Sequence, residues 1–203
     1  MTTIAVVDHG AGNLLSISAG LERSGSRVIV VTGEDRLAQA DGIVLPGVGS
    51  AAAAMRRLDE AGLVAPLRAW DRPLLGICVG FQILFAASEE GATPGLGLLP
   101  GTVRRLEGRP LPHMGWNDVD HDGTDPLFTG VDRGELFYFA NSYAPPPNEW
   151  TTATASHGGE TFAAAARSGI VVGVQFHPER SSTAGRTVLG NFVAACREDA
   201  RAA

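Results

Sequence analysis

A cysteine framed by glycines, Gly76-Ile77-Cys78-Val79-Gly80, separates the apolar pair Leu74-Leu75 from the run Phe81-Gln82-Ile83-Leu84-Phe85. Strand, G-x-C-x-G, helix is the thiol form of a nucleophile elbow. Its tight turn lifts one side chain above the sheet edge, and the small flanking residues let backbones approach. A cysteine at such a turn lies at a helix N-terminus, where the dipole and free N–H groups favour thiolate over thiol. The N–H of Val79 then points to where an oxyanion would form. A lone cysteine after a strand is more often a small buried hydrophobe. The rest of the chain has to decide.

A cysteine nucleophile needs a base and a group that orients the base. Both stand in Gly173-Val174-Gln175-Phe176-His177-Pro178-Glu179, at the end of an apolar stretch. Glu179, two residues beyond His177, can reach back to the imidazole and hold its tautomer. Taken alone, the segment is equally a histidine capped by a local carboxylate at a strand end. Set beside the elbow, the chain order Cys78, His177, Glu179 favours a triad. Pro46-Gly47-Val48-Gly49 follows another apolar stretch, and the backbone N–H groups of Val48 and Gly49 can supply the second half of an oxyanion hole. An ordinary glycine-rich turn is the plain reading of that segment by itself. Gln82 falls one helical turn after Cys78, facing the same pocket. Glu90 can neutralise a substrate ammonium group, although a carboxylate at the surface end of a helix is usually only solvated.

Composition narrows the class. The 203 residues fit one domain, 1–203, with a sizeable core. A formal net charge of −6 argues against nucleic acid or anionic lipid as a main partner. The N-terminus reads as a first strand rather than a signal peptide. No apolar run reaches the roughly 18 residues of a membrane span, so a cytoplasmic protein is expected. Cys78 and Cys196 are too far apart to suggest a zinc site, and a reducing compartment disfavours a disulfide between them. No metal and no cofactor is expected. All 16 basic residues are arginine, which removes a Walker-type phosphate loop and Schiff-base lysine chemistry.

The elements that must hold these groups alternate through the first half. Strands are expected at Ile4–Asp8, Val28–Val31, Gly42–Leu45 and Pro73–Ile77, and helices at Leu14–Arg23, Ala51–Leu58 (capped by Ser50) and Gly62–Trp70. Such alternation predicts a parallel sheet covered on both faces. The second half changes to short antiparallel segments at Thr102–Leu106, Leu136–Ala140, Thr151–Ala155 and Thr161–Ala166. Ile170–Phe176 is apolar enough to return to the central sheet, and Thr187–Arg197 reads as a docking helix. The expected fold is α/β, with a central mostly parallel sheet flanked by helices and an additional small antiparallel sheet in the second half.

The elbow and H-P-E together resemble the class I glutamine amidotransferases. Gly10-Ala11-Gly12-Asn13-Leu14, Leu45–Gly49, Pro112-His113-Met114-Gly115-Trp116-Asn117, Tyr138–Tyr143 and Gly173–Ser181 look like one family among them, the glutaminase subunit of imidazole glycerol phosphate synthase. The likeness runs in order from Ile4 to the last helix. It implies that Cys78 attacks the side-chain amide of L-glutamine and that His177, oriented by Glu179, protonates the leaving ammonia. It also implies glutamine contacts from Gln82, Glu90 and the main chain near Ser142-Tyr143. Ammonia would pass to a separate (β/α)₈ cyclase subunit, forming a heterodimer through Asn13, Met114, Trp116, Asn117, Tyr138 and Arg180. The family's oxyanion hole is badly formed until that partner binds its own ligand.

Three residues depart from the family's usual pattern: Asn141 where histidine is frequent, Arg180 in place of lysine, and Phe81 in place of methionine. None belongs to the triad. Competing readings are a glutaminase of another pathway, such as pyridoxal phosphate synthesis, a non-catalytic module on the same fold, and a stand-alone thiol hydrolase. The Pro112–Asn117 run speaks against the first and the intact triad against the second.

Overall fold

In the computed structural model, which describes residues 1–202, the apolar runs of the first half become strands, those inside the sheet buried on both faces and the edge strand on one. In chain order these elements are β1 (Thr3–Val7), α1 (Leu14–Arg23), β2 (Arg27–Val31), β3 (Gly42–Leu45), α2 (Ala51–Glu60), α3 (Val64–Arg68) and β4 (Leu74–Ile77). Every residue of β3 and β4 is buried, as a helix-covered parallel sheet requires. Asn13 starts α1 by accepting from the Ser16 N–H at 3.3 Å, and Ser50 starts α2 by accepting from Ala53 at 3.3 Å. Both caps satisfy N–H groups that the helix itself cannot.

After the elbow come α4 (Val79–Gln82), β5 (Phe85–Ser88), β6 (Thr93–Pro94), β7 (Leu99–Arg105), β8 (His113–His121), β9 (Glu135–Asn141) and β10 (Tyr143–Ala144). The hairpin strands β11 (Thr151–His157) and β12 (Glu160–Ser168), then β13 (Val171–Val174) and α5 (Ser182–Ala202), complete the chain. Nine strands form one sheet in the order β2-β1-β3-β4-β13-β12-β11-β8-β9. From β2 to β13 neighbours run parallel, and from β13 to β9 they run antiparallel.

The α/β class stands as expected, with two refinements. The antiparallel strands of the second half mostly extend the central sheet. The small second sheet, β10-β7-β5-β6, includes a parallel pair, β5 with β7. The helix expected over Phe81–Phe85 ends after Gln82. Ile83, Leu84 and Phe85 are all buried, and the carbonyls of Ile83 and Leu84 are taken by the N–H groups of Leu96 and Leu98 at 2.7 and 2.8 Å. A helix would have kept those carbonyls for itself. The long helix α5 runs further in both directions than Thr187–Arg197. Among the described residues, no helix is long and apolar enough to cross a membrane.

Candidate active site

Cys78 sits where β4 turns into α4, with φ 54° and ψ −110°. A non-glycine residue in that region costs about 1–3 kcal/mol and persists only where its surroundings enforce it. The enforcement here is packing. A side-chain carbon on Gly80 would come within 1.8 Å of the Leu45 carbonyl oxygen, and one on Gly76 within 2.8 Å of Gly80. The elbow glycines are there so that β3, β4 and α4 can nest.

The strand β13 lies parallel to β4, with Val174 opposite Ile77, so the residues that follow each strand meet at one end of the sheet. The Cys78 N–H donates to the Val174 carbonyl at 2.8 Å. His177 is fixed by its own N–H, which donates to the Tyr138 carbonyl at 2.8 Å. Its Nδ1 is 2.9 Å from Glu179 Oε1, and both side chains are nearly inaccessible. Burial alone would strip the ring of its proton. Hydrogen bonds to Cys78 and Glu179, and the negative charge on both, outweigh it and raise the His177 pKa to about 10. The arrangement favours a protonated imidazole at His177.

Cys78, His177 and Glu179 open onto one cavity of about 410 Å³. Val48, Gly49 and Val79 form part of its wall, as do Gln82, Glu90, Ser142 and Tyr143. Three of these residues are engaged in ways the sequence did not reveal. The Val79 N–H is directed at the Gly47 carbonyl oxygen, 3.4 Å away, so the expected oxyanion donor faces an acceptor. Gln82 spends its amide hydrogens on the Tyr143 carbonyl at 2.8 Å and on Gln175 Oε1 at 3.1 Å. Glu90 is not at the end of the elbow helix; it begins a single turn after β5, and its Oε2 accepts from the Ala51 N–H at 2.7 Å.

The sequence profile of the family described as "Glutamine amidotransferase class-I" matches residues 5–196. The chain belongs to this family. Its sequence is 47% identical over 199 residues to "Imidazole glycerol phosphate synthase subunit HisH" of Moorella thermoacetica, covering 95% of this chain and 94% of that one. The protein of the same name from Gloeobacter violaceus is 46% identical over 199 residues, covering 94% and 88%. PurLQS of Thermotoga maritima has the same fold, with a TM-score of 0.72 at 22% identity, over 95% of this chain and 98% of that structure's chain.

In this amidotransferase the residues assigned to a partner face divide. Asn13 and Arg180 line the cavity mouth. Met114 and Trp116 are 64% and 53% exposed on one face of β8, and Tyr138 pairs with Trp116 across the ribbon. The Arg180 guanidinium stacks over the Tyr138 ring at 3.9 Å. Asn117 is the exception. Alternation along β8 turns it to the opposite face, where its amide donates to the Ser156 carbonyl at 2.8 Å and lies 3.3 Å from His113 Nε2. It supports the ribbon from behind.

Two residues went unassigned from the sequence. Leu136, 49% exposed, extends the Trp116–Tyr138 face of the amidotransferase. Gln175 is fully buried against Cys78. Its signal was present: a lone amide in an otherwise apolar stretch, two residues before the histidine.

Proposed function

We propose that this amidotransferase hydrolyses L-glutamine to glutamate and ammonia through Cys78, His177 and Glu179. The observation that carries the reading is the single cavity onto which the Cys78 thiol and the Glu179-bound His177 imidazole both open. The Cys78 sulfur attacks the side-chain amide carbon, and charge develops on the amide oxygen. The imidazolium of His177 gives its proton to the departing nitrogen, the C–N bond breaks, and a glutamyl thioester remains. His177 then takes a proton from water, whose oxygen attacks the thioester and releases glutamate and the thiolate. Glu90 and the main chain at Ser142-Tyr143 hold the amino-acid end. Val79, with Val48 or Gly49, holds the oxyanion once the Gly47 carbonyl has turned away.

The relatives' name, a subunit of imidazole glycerol phosphate synthase, supports a destination for the ammonia. The ammonia passes to a separate (β/α)₈ cyclase subunit that makes imidazole glycerol phosphate and an aminoimidazole-carboxamide ribonucleotide. On this reading the chain serves histidine biosynthesis as half of a cytoplasmic heterodimer. The exposed Met114–Trp116–Tyr138 face beside the cavity mouth supports the docking side. Glutamate release by the purified chain, with and without the cyclase subunit and its nucleotide ligand, tests the whole reading. Activity that requires both the partner and Cys78 is expected. Partner-independent activity that survives Cys78→Ala would overturn it.

A further inference from the structure

Gln175 is inaccessible to solvent, immediately after β13, and its backbone N–H is spent on the Ala164 carbonyl at 2.8 Å. Its side chain touches two polar groups, Gln82 Nε2 at 3.1 Å and Cys78 Sγ at 3.7 Å. Which end of the amide faces which neighbour follows from an acceptor that cannot change its role. The Tyr143 carbonyl can only accept, so the Gln82 group 2.8 Å from it must be the amide NH₂. The second hydrogen of that NH₂ faces Gln175, which must answer with its oxygen. The Gln175 NH₂ is thereby turned onto the sulfur.

We propose that Gln175 is a positioning residue for the nucleophile, donating an N–H to the Cys78 sulfur and held in that orientation by Gln82. The Gln175 amide reaches the sulfur from the same segment after β13 that carries the His177 imidazole to the cavity. A directional amide donor fixes the Cys78 side chain in a turn whose backbone is already strained, and a hydrogen bond to sulfur favours the thiolate. Gln82 gains a duty besides facing the substrate. It transmits the position of the Tyr143 carbonyl, at the amino-acid end of the cavity, to the sulfur. The inference rests on Cys78 being the nucleophile, and the test separates the two claims.

The readout is the rate of Cys78 alkylation by iodoacetamide as a function of pH, on the full chain, with Cys78→Ala identifying the labelled site. The reagent is small, and the measurement needs neither glutamine nor a partner. Gln175→Leu is expected to move the midpoint of the rate profile upward by about one pH unit, roughly a tenfold loss of rate at a fixed pH below it. Gln175→Glu keeps the shape, places a carboxylate beside the sulfur, and is expected to move the midpoint further in the same direction; it carries the test if the leucine variant does not fold. Gln82→Leu is expected to shift the midpoint upward as well, and to add little on top of Gln175→Leu. Unmoved midpoints in folded Gln175 variants overturn the positioning role. If Cys78→Ala alone abolishes glutaminase activity of the assembled enzyme, that result leaves the nucleophile reading intact. Glutaminase activity surviving Cys78→Ala would instead remove the nucleophile reading.

Discussion

The Gly47 carbonyl oxygen lies 3.4 Å from the backbone nitrogen of Val79 and accepts its hydrogen. An oxyanion needs that N–H free, so in this conformation an amide under attack in the cavity would find this donor already taken. Freeing it requires rotation of the Gly47–Val48 peptide. Gly49 follows at φ 91°, with open space where a side chain would be, so the segment can absorb the change. The isolated chain is therefore predicted to release glutamate at least about a hundredfold more slowly than the complex with liganded cyclase, the usual worth of one oxyanion donor. Steady-state glutamate release in both states checks it. Equal rates would refute the idea that this contact holds the site off.

His177 supplies a second prediction. Its raised pKa depends on hydrogen bonds and negative charge from Cys78 and Glu179, acting against burial. Replacing Cys78 with alanine removes one of the two supports and leaves burial in place. The imidazole titration midpoint, read by NMR in Cys78→Ala, is expected to fall from about 10 by more than one unit. For the intact assembled enzyme, kcat/KM should hold up to about pH 9 before His177 loses its proton. An alkaline limb near pH 7 would contradict the ion-pair picture.

A third concerns acid stability. Burial, aided by the positive charge His157 can carry, lowers the His113 pKa from 6.5 to about 4. Its ring is stacked on His157, with centroids 4.2 Å apart. Between those two pH values the unfolded chain binds the proton and the folded chain does not, so stability drops as pH falls from 6.5 to 4. Below that range this histidine contributes no further loss. His113→Phe keeps an aromatic ring and removes the titration. Its Tm should fall less than the parent's between pH 7 and 4.5, measured by thermal melts.

The elbow gives a fourth. Gly80→Ala would put a methyl carbon 1.8 Å from the Leu45 carbonyl oxygen, between backbones that have no flexible side chain to yield. A loss of about 3 kcal/mol or more in unfolding free energy is expected, read by urea denaturation. The neighbouring Val79→Ala keeps the backbone and should cost less.

Much of this was legible from spacing. Gly42–Leu45, Pro73–Ile77 and Ile170–Phe176 are short continuous apolar runs, and a strand covered on both faces admits no other pattern. The grouping of Cys78, His177 and Glu179 was legible because the ends of β4 and β13 carry a thiol, an imidazole and a carboxylate. What escaped was of two kinds. Phe81–Phe85 is apolar at every position, so periodicity could not tell a helix from a turn leading into β5. The strand β8 inverts the usual code: Met114 and Trp116 point outward while His113 and Asn117 point inward, so alternation of polarity assigns the faces backwards. Gln175 and Cys78, 97 positions apart, are joined only by the parallel register of β13 on β4.

That inversion yields the last prediction. A β-ribbon that leaves Met114, Trp116 and Leu136 exposed on its outer face while His113 is buried behind it keeps an apolar patch for something else. If the cyclase docks there, Trp116 is the large aromatic anchor of the contact, and Trp116→Ala should weaken the complex by about 2 kcal/mol, roughly thirtyfold in Kd, with little effect on the melting of the free chain. Asn117→Ala touches the opposite face. It breaks the bridge to Ser156 and His113, so it should lower the Tm of the free chain and leave the contact itself in place. Calorimetric titration of the cyclase subunit with each variant, beside thermal melts, distinguishes the two faces. A folded Asn117→Ala that fails to bind while Trp116→Ala binds normally would mean that the partner lies on the other side of the ribbon.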